Sequence, residues 1–227
     1  MPAIHKKSKH DDWVSFSQSY LQLARLGCDE ILKSKHGKKG FRNRAKFRIH
    51  AQDIFIPILF NIKHGIEIFT KSLKLTLVGE LSGNDLKHNI SELFLLLKVE
   101  IKKHNILVVI QREREATPQD INIETAYNSL AKIPEFLAHL EVVIGKYYHC
   151  DVFKEKLESN FTIEDIDNTA FRYPDNSLKI KMDYDKVLER ITDSDVREII
   201  NDIDRLSDNF NDLGFVLEIY KKHAKKN

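Results

Sequence analysis

The sequence has few cysteines, glycines and prolines, and each shortage excludes a class of protein. Two cysteines in 227 residues, Cys28 and Cys150, exclude a disulfide scaffold, and neither lies in a Cys-x-x-Cys or Cys/His spacing typical of zinc or redox sites. Eight glycines and five prolines disfavour a β-sandwich or barrel and favour long helices. We therefore predict an all-α protein that holds no metal or cofactor.

Long apolar segments are also missing. The N-terminus is charged, and no run approaches the ~20 apolar residues that span a bilayer. We predict a cytoplasmic protein with no membrane contact. A chain of 227 residues is long enough to bury a sizeable core.

Charge divides the chain into two parts. Residues 151–213 hold 17 acidic and nine basic side chains, whereas the whole chain has a net charge of +2. The stretch 33–48 holds eight Lys or Arg and no acid. We predict a helical core over 1–150 with a basic loop at 33–50. An acidic extended segment and C-terminal helices, packed on the same domain, follow over 151–227.

Apolar periodicity predicts the helices. The first spans Trp13–Lys33, with its apolar face formed by Trp13, Phe16, Tyr20, Leu23, Leu26 or Gly27, and Ile31. The clearest spans Ile54–Val78 and ends before Gly79, and the next carries Leu86 to Ile101.

Later segments are less regular. The run Asn105–Ile110 fits either a strand or a buried helix. Asn122–Tyr148 is helical with a kink or break at Pro134, and a small extended or hairpin segment is predicted near 171–183. Helical spacing resumes from Tyr184 to Lys222, and residues 193–195 or Gly214 are possible points of division.

A polar stripe runs along the clearest helix. His64, Glu67 and Lys71 fall at i, i+3 and i+7, about 150° around the helix from its apolar face. One interpretation is a solvated face with an exposed Glu67–Lys71 ion pair. The other is a stripe used in a second interface, in a dimer or toward a phosphate-bearing ligand.

This pattern resembles the HEPN superfamily of helical nucleotide- and RNA-associated domains. The resemblance rests on His64-x-x-Glu67-x-x-x-Lys71, on Gly83-x-Asp85-Leu86 after a short turn, and on the segment 171–174 (Phe-Arg-Tyr-Pro). It implies an elongated HEPN-like helical bundle, a homodimer, and a prokaryotic defence or toxin-type setting.

Active members of that superfamily are metal-independent endoribonucleases with an Arg four to six residues before a His. Arg44 and His50 have this spacing. They depart from the family pattern in two ways: the pair precedes the His64 helix instead of following it, and Arg44 is followed by Ala45 instead of a polar residue. In such a pair the cation neutralises the scissile phosphate and the imidazole moves a proton.

The basic stretch is a separate candidate for RNA binding. Its cations include Lys38, Lys39, Arg42 and Arg48, and two phenylalanines lie among them, a composition that suits phosphates and stacked bases. A solvated loop is the alternative.

Three functions remain open. The first is a HEPN-like domain that binds RNA, a nucleotide or a protein partner, with His64, Glu67 and Lys71 as further phosphate-site residues. The second is an endoribonuclease that uses Arg44 and His50. The third is a structural interaction module whose acidic C-terminal half docks a basic partner.

Overall fold

The computed structural model describes residues 9–36, 51–81, 83, 88–148 and 191–224. These residues form helices and no strand, which confirms the predicted all-α class. The helices are α1 Lys9–His36, α2 Ala51–Val78, α3 Ile90–Lys103, α4 Ile106–Ala116, α5 Ile121–Leu130, α6 Ile133–Tyr148 and α7 Asp193–Ala224. The predicted hairpin near 171–183 lies outside the described residues.

Helix α2 contributes a continuous apolar face to the core. Every apolar position predicted for that face is buried, and the set is Phe55, Ile58, Leu59, Ile62, Ile66, Phe69, Leu73 and Leu77. Gly79 follows the helix with a φ of +91°, a left-handed conformation that glycine adopts without a steric penalty. The predicted end of the helix is therefore confirmed.

Helix α1 is a core helix, as predicted, but a different face of it is buried. Of the predicted face, Ile31 is buried but Phe16, Leu23 and Leu26 are exposed, and the other buried positions are Ser17, Leu21, Ala24 and Cys28. Small side chains let α1 approach α2 closely. The Ser17 hydroxyl donates to the Gly65 carbonyl at 2.9 Å, and a Cβ added at Gly27 would lie 2.6 Å from Ile58. The close approach of the two helices, more than the positions of the largest apolar side chains, therefore determines which side of α1 is buried.

The ambiguous run at Asn105–Ile110 begins a helix rather than a strand. Asn105 has a φ of +46° and separates α3 from α4, which starts at Ile106. Asparagine tolerates this left-handed conformation better than most residues, so the chain can turn there and continue as a helix.

Pro134 marks a break, as predicted. Helix α5 ends at Leu130 and α6 begins at Ile133, so Pro134 is the second residue of α6. Proline suits the first turn of a helix, where its missing N–H would have no helical acceptor.

Helix α7 is a single helix that contacts α1, α2, α4, α5 and α6. Its start is fixed by a reciprocal cap, because Thr192 N donates to Asp195 Oδ2 at 2.6 Å and Asp195 N donates to Thr192 Oγ1 at 3.3 Å. Residues 193–195 therefore begin the helix, and Gly214 lies buried within it. The Phe210 ring stacks on Phe69 of α2 with centroids 3.5 Å apart.

Candidate functional site

Most of the predicted site residues lie in the connection between α1 and α2, outside the described residues. They are Lys38, Lys39, Arg42, Arg44, Arg48 and His50. Their roles as phosphate contacts and as a catalytic pair stay predictions. The structure brings together the other three, which lie on α2.

A polar cluster forms around the buried Glu67 and comprises His64, Glu67, Lys71 and His88; we call it the Glu67 cluster. Glu67 Oε1 accepts hydrogen bonds from Lys71 Nζ and His88 Nδ1, both at 2.8 Å. Glu67 Oε2 lies 3.9 Å from His64 Nδ1. Glu67 is 2% exposed and Lys71 is 7% exposed. The solvated ion pair considered from the sequence is therefore wrong.

Neighbouring helices cover the polar side of α2. The His64 ring packs edge-on against Tyr20 of α1, with centroids 4.6 Å apart, and stacks on Phe60 at 5.4 Å. Lys63 is fully buried, its ammonium 4.8 Å from the centroid of the Tyr148 ring, and the Tyr148 hydroxyl donates to the Lys63 carbonyl. Because α1 and the end of α6 enclose this face, its polar groups bond to one another.

The cluster keeps Glu67 ionised. Burial alone would raise the pKa of this carboxyl, but the His64 imidazole, the Lys71 ammonium and His88 together lower it to about 2. Within the part of the chain that the structure describes, the buried atoms Glu67 Oε2 and His64 Nδ1 have no hydrogen-bond partner. The negative charge is thus balanced mainly through Oε1.

The contact with Glu67 fixes the orientation of His88. An ionised carboxylate only accepts, so His88 offers Nδ1 as a donor, and in the neutral ring the lone pair lies on Nε2. A carboxylate-oriented imidazole of this kind is a general acid/base arrangement, and the His88 side chain is 41% exposed. Lys71 contacts Glu67 instead, so binding a phosphate there requires breaking a 2.8 Å ion pair.

Sequence reasoning missed His88. The motif that drew attention to this turn ended before it, and the residue that orients it lies 21 positions earlier in the chain. The only available signal was a histidine directly before the Asn89 that caps α3.

A second histidine–carboxylate cluster holds the last turns of α7 against α3 and α4. His223 Nδ1 lies 2.7 Å from Glu113 Oε2, and His104 Nδ1 lies 3.0 Å from the Tyr220 hydroxyl. His104 Nε2 is 3.3 Å from Glu100 Oε2. Arg112 and His223 help to lower the pKa of Glu113 against the opposing effect of burial. This cluster links three helices.

Four of the eight acidic residues of α7 pair with cations on other described segments of the molecule. Glu198 and Asp202 both accept from Lys146 Nζ at 2.5 Å, and Asp204 accepts from Arg25 Nε at 3.0 Å. Lys132 pairs with a further acid of this helix at 3.0 Å. The acidic surface considered as a docking site is thus partly neutralised by the protein itself.

Aromatic rings line the outer side of the α1–α2 pair. The His64 ring contacts both Tyr20 and Phe60, all three side chains are half-buried, and Phe16 lies one turn before Tyr20 on α1 with 61% of its surface exposed. We call these four residues the aromatic surface.

Among the described helices, none combines the length and apolarity needed to cross a bilayer. Within the same residues, no three His, Cys, Asp or Glu side chains form a group suited to a metal ion. No protein-family model, curated protein or solved structure matches this sequence.

Proposed function

We propose that this chain is a HEPN-like helical domain that binds RNA, with its principal phosphate contacts in the connection between α1 and α2. The proposal is supported by the charge of residues 37–50 and by the arrangement of the two helices that they join. The prokaryotic defence or toxin-type setting and the homodimer implied by the HEPN resemblance belong to the same proposal.

Helices α1 and α2 run antiparallel. Ser17 bonds to Gly65, and Gly27 packs on Ile58, so residues later in α1 contact residues earlier in α2. The last turn of α1 and the first turn of α2 therefore lie at one end of the pair, and the 37–50 connection starts and finishes there. Six of its residues are Lys or Arg and none is acidic.

This charge distribution suits a polyanion. Neutralising phosphates with Lys and Arg releases counterions, which is the main source of sequence-independent affinity for nucleic acid. The acids of α7 pair with Arg25, Lys132 and Lys146, which lie on α1, between α5 and α6, and on α6. These ion pairs leave fewer acidic side chains of α7 to dock a basic protein, which counts against the interaction-module alternative.

The test is RNA binding as a function of salt. Labelled single-stranded RNA of mixed sequence is titrated with the wild type and with Lys38→Gln/Lys39→Gln/Arg42→Gln, in EDTA. We expect the slope of log affinity against log salt to fall by about 0.7 for each phosphate contact removed, or about 2 in total. The variant Lys221→Gln/Lys222→Gln/Lys225→Gln removes the same charge elsewhere in the chain and serves as the control.

Two outcomes contradict the proposal. One is absence of binding by the wild type at low salt, where phosphate contacts are strongest. The other is an equal loss in the two triple variants, which would indicate an effect of net charge alone. Gel electrophoresis of the same labelled RNA reports cleavage, and cleavage in EDTA that disappears in His50→Ala and in Arg44→Ala would establish the endoribonuclease function of Arg44 and His50.

A further inference from the structure

A seam of polar side chains holds α6 against α7. The described pairs across it are Glu135–Arg205, His139–Asn209, Lys146–Asp202, Lys146–Glu198 and Tyr147–Asp202. The side chains of Glu135 and Arg205 are 75% and 52% exposed, so their ion pair lies at the surface. His139 differs from them, because it is only 8% exposed. The imidazole is therefore the buried polar group of this seam whose charge can change near neutral pH.

The hydrogen bond to Asn209 fixes the protonation of His139. A side-chain amide nitrogen only donates, so Asn209 Nδ2 donates to His139 Nδ1 across 3.2 Å. The proton of the neutral ring then lies on Nε2. A second proton would add to Nδ1 and place one donor against another. The contact between His139 and Asn209 thus requires a neutral imidazole.

The charges around the ring would not stabilise an imidazolium. They are Arg205, Asp202, Glu135 and Lys146. Burial lowers the pKa of His139 below its usual 6.5, the two cations act in the same direction, and the two carboxylates oppose them. Both carboxylates are already paired with these cations, at 2.9 and 2.5 Å, and within the residues that the structure describes His139 forms no ion pair.

We propose that protonation of His139 releases α6 from α7, which makes α6 a pH-sensitive element of the fold. This helix can move as a unit, because only two residues, Ala131 and Lys132, join it to α5 and can act as a pivot. Release uncovers the apolar face of α6, which is formed by Phe136, Leu140, Val143 and Ile144. The inference goes beyond RNA binding and does not depend on it.

The pH window follows from the direction of the pKa change. Above pH 6.5 the imidazole is neutral in both the packed and the released helix, so protonation contributes nothing. Below pH 6.5 the released helix takes up the proton more readily than the packed one, and the packing weakens until the pH passes the lowered pKa. Carboxylates and lysines ordinarily titrate outside this range, and His139 is the only histidine of α6.

The experiment is hydrogen exchange of the full chain at pH 7.5 and pH 5.5, corrected for the intrinsic effect of pH on exchange. We expect the protection of amides in residues 133–148 to fall about two- to tenfold at pH 5.5 relative to that of α2. The upper limit is the ratio of charged to neutral imidazole one pH unit below a pKa of 6.5, about ten.

Two variants test the His139–Asn209 contact from both sides. His139→Gln keeps an acceptor for Asn209 but cannot take up a proton, so its α6 protection should not change with pH. Asn209→Asp offers a carboxylate to the imidazolium, so its α6 protection should be retained or rise at pH 5.5. His104→Gln is the matched control, because His104 also contacts α7, through the Tyr220 hydroxyl at 3.0 Å, and this variant should respond as the wild type does.

Four outcomes overturn the inference. They are unchanged α6 protection in the wild type, an equal fall in α2, a wild-type response in His139→Gln, and a loss of the response in His104→Gln. If His139→Gln does not fold, Asn209→Asp decides, because a fall in α6 protection as large as that of the wild type contradicts the proposed contact. Nitrogen NMR of labelled histidine gives an independent check, since a neutral His139 ring with its proton on Nδ1 would also overturn the inference.

Discussion

Acid titration of Glu67 tests whether the buried cluster stabilises the fold. The pKa of this carboxyl is about 2 in the folded protein, against 4.5 for an unperturbed glutamic acid. At 1.36 kcal/mol per pKa unit, the difference corresponds to about 3 kcal/mol of folding free energy. The side chain is 2% exposed, so screening by solvent does not reduce this contribution as it does at the surface.

The sign follows from the direction of the shift. Because folding lowers the pKa, the ionised carboxylate stabilises the folded state fully above pH 4.5. This contribution disappears as the pH falls toward 2, where the folded protein also takes up the proton. Replacing Glu67 with a side chain that cannot titrate should remove this dependence of folding stability on pH.

The assay is urea unfolding of the wild type and Glu67→Gln between pH 7 and pH 2. Glutamine keeps the shape of the side chain but cannot ionise. We therefore expect the variant to be about 3 kcal/mol less stable than the wild type at pH 7, and this difference in unfolding free energy to disappear on acidification. Glu141→Gln is the control, because Glu141 is 63% exposed and its ion pair with Lys98 is superficial. A difference in unfolding free energy between wild type and Glu67→Gln that stays the same at every pH would refute this prediction.

Three further predictions concern packing and the buried thiol. Gly27→Ala should lower stability by about 1–3 kcal/mol in urea unfolding, because its Cβ meets Ile58 at 2.6 Å; a higher midpoint would show that Ile58 moves aside. Burial raises the pKa of Cys28 to about 12, so in a Cys150→Ser background we expect thiol reagents at pH 8 to react only after denaturation, and rapid native labelling would contradict this. Phe210→Ala should cost about 3–5 kcal/mol in thermal or urea unfolding, and a loss under 1 kcal/mol would place its stacked ring outside the core.

Apolar periodicity predicted both the helix and its buried face where large apolar side chains form that face. Helix α2 follows this rule, because its large apolar side chains point to the core and glycine ends it at Gly79. For α1 the helix was predicted correctly but most of its buried face was not, because the small residues Ser17 and Gly27 form close contacts with α2. Small residues contribute little to an apolar pattern, yet they set the distance between two helices. Their role depends on a partner helix that the pattern of a single segment does not reveal.

The candidate site was predictable only in part. Spacing placed His64, Glu67 and Lys71 on one stripe, and the structure brings them together. Their burial was not predictable, because it depends on α1 and α6 covering a face that is polar in sequence. His88 was missed for a related reason, since its hydrogen bond to Glu67 crosses a turn between helices.

The position of α7 has a consequence for folding during synthesis. This helix is the last of the described helices to be made, yet it supplies Phe210 to stack on Phe69 and contacts five earlier helices. Its final residue, Ala224, is 76 positions beyond the end of α6. At translation rates of about 5–20 residues per second, the apolar surface that α7 covers stays exposed for roughly 4–15 s after α6 is made. During that interval we expect the nascent chain to bind chaperones, and a chain released before α7 is made should be prone to aggregation.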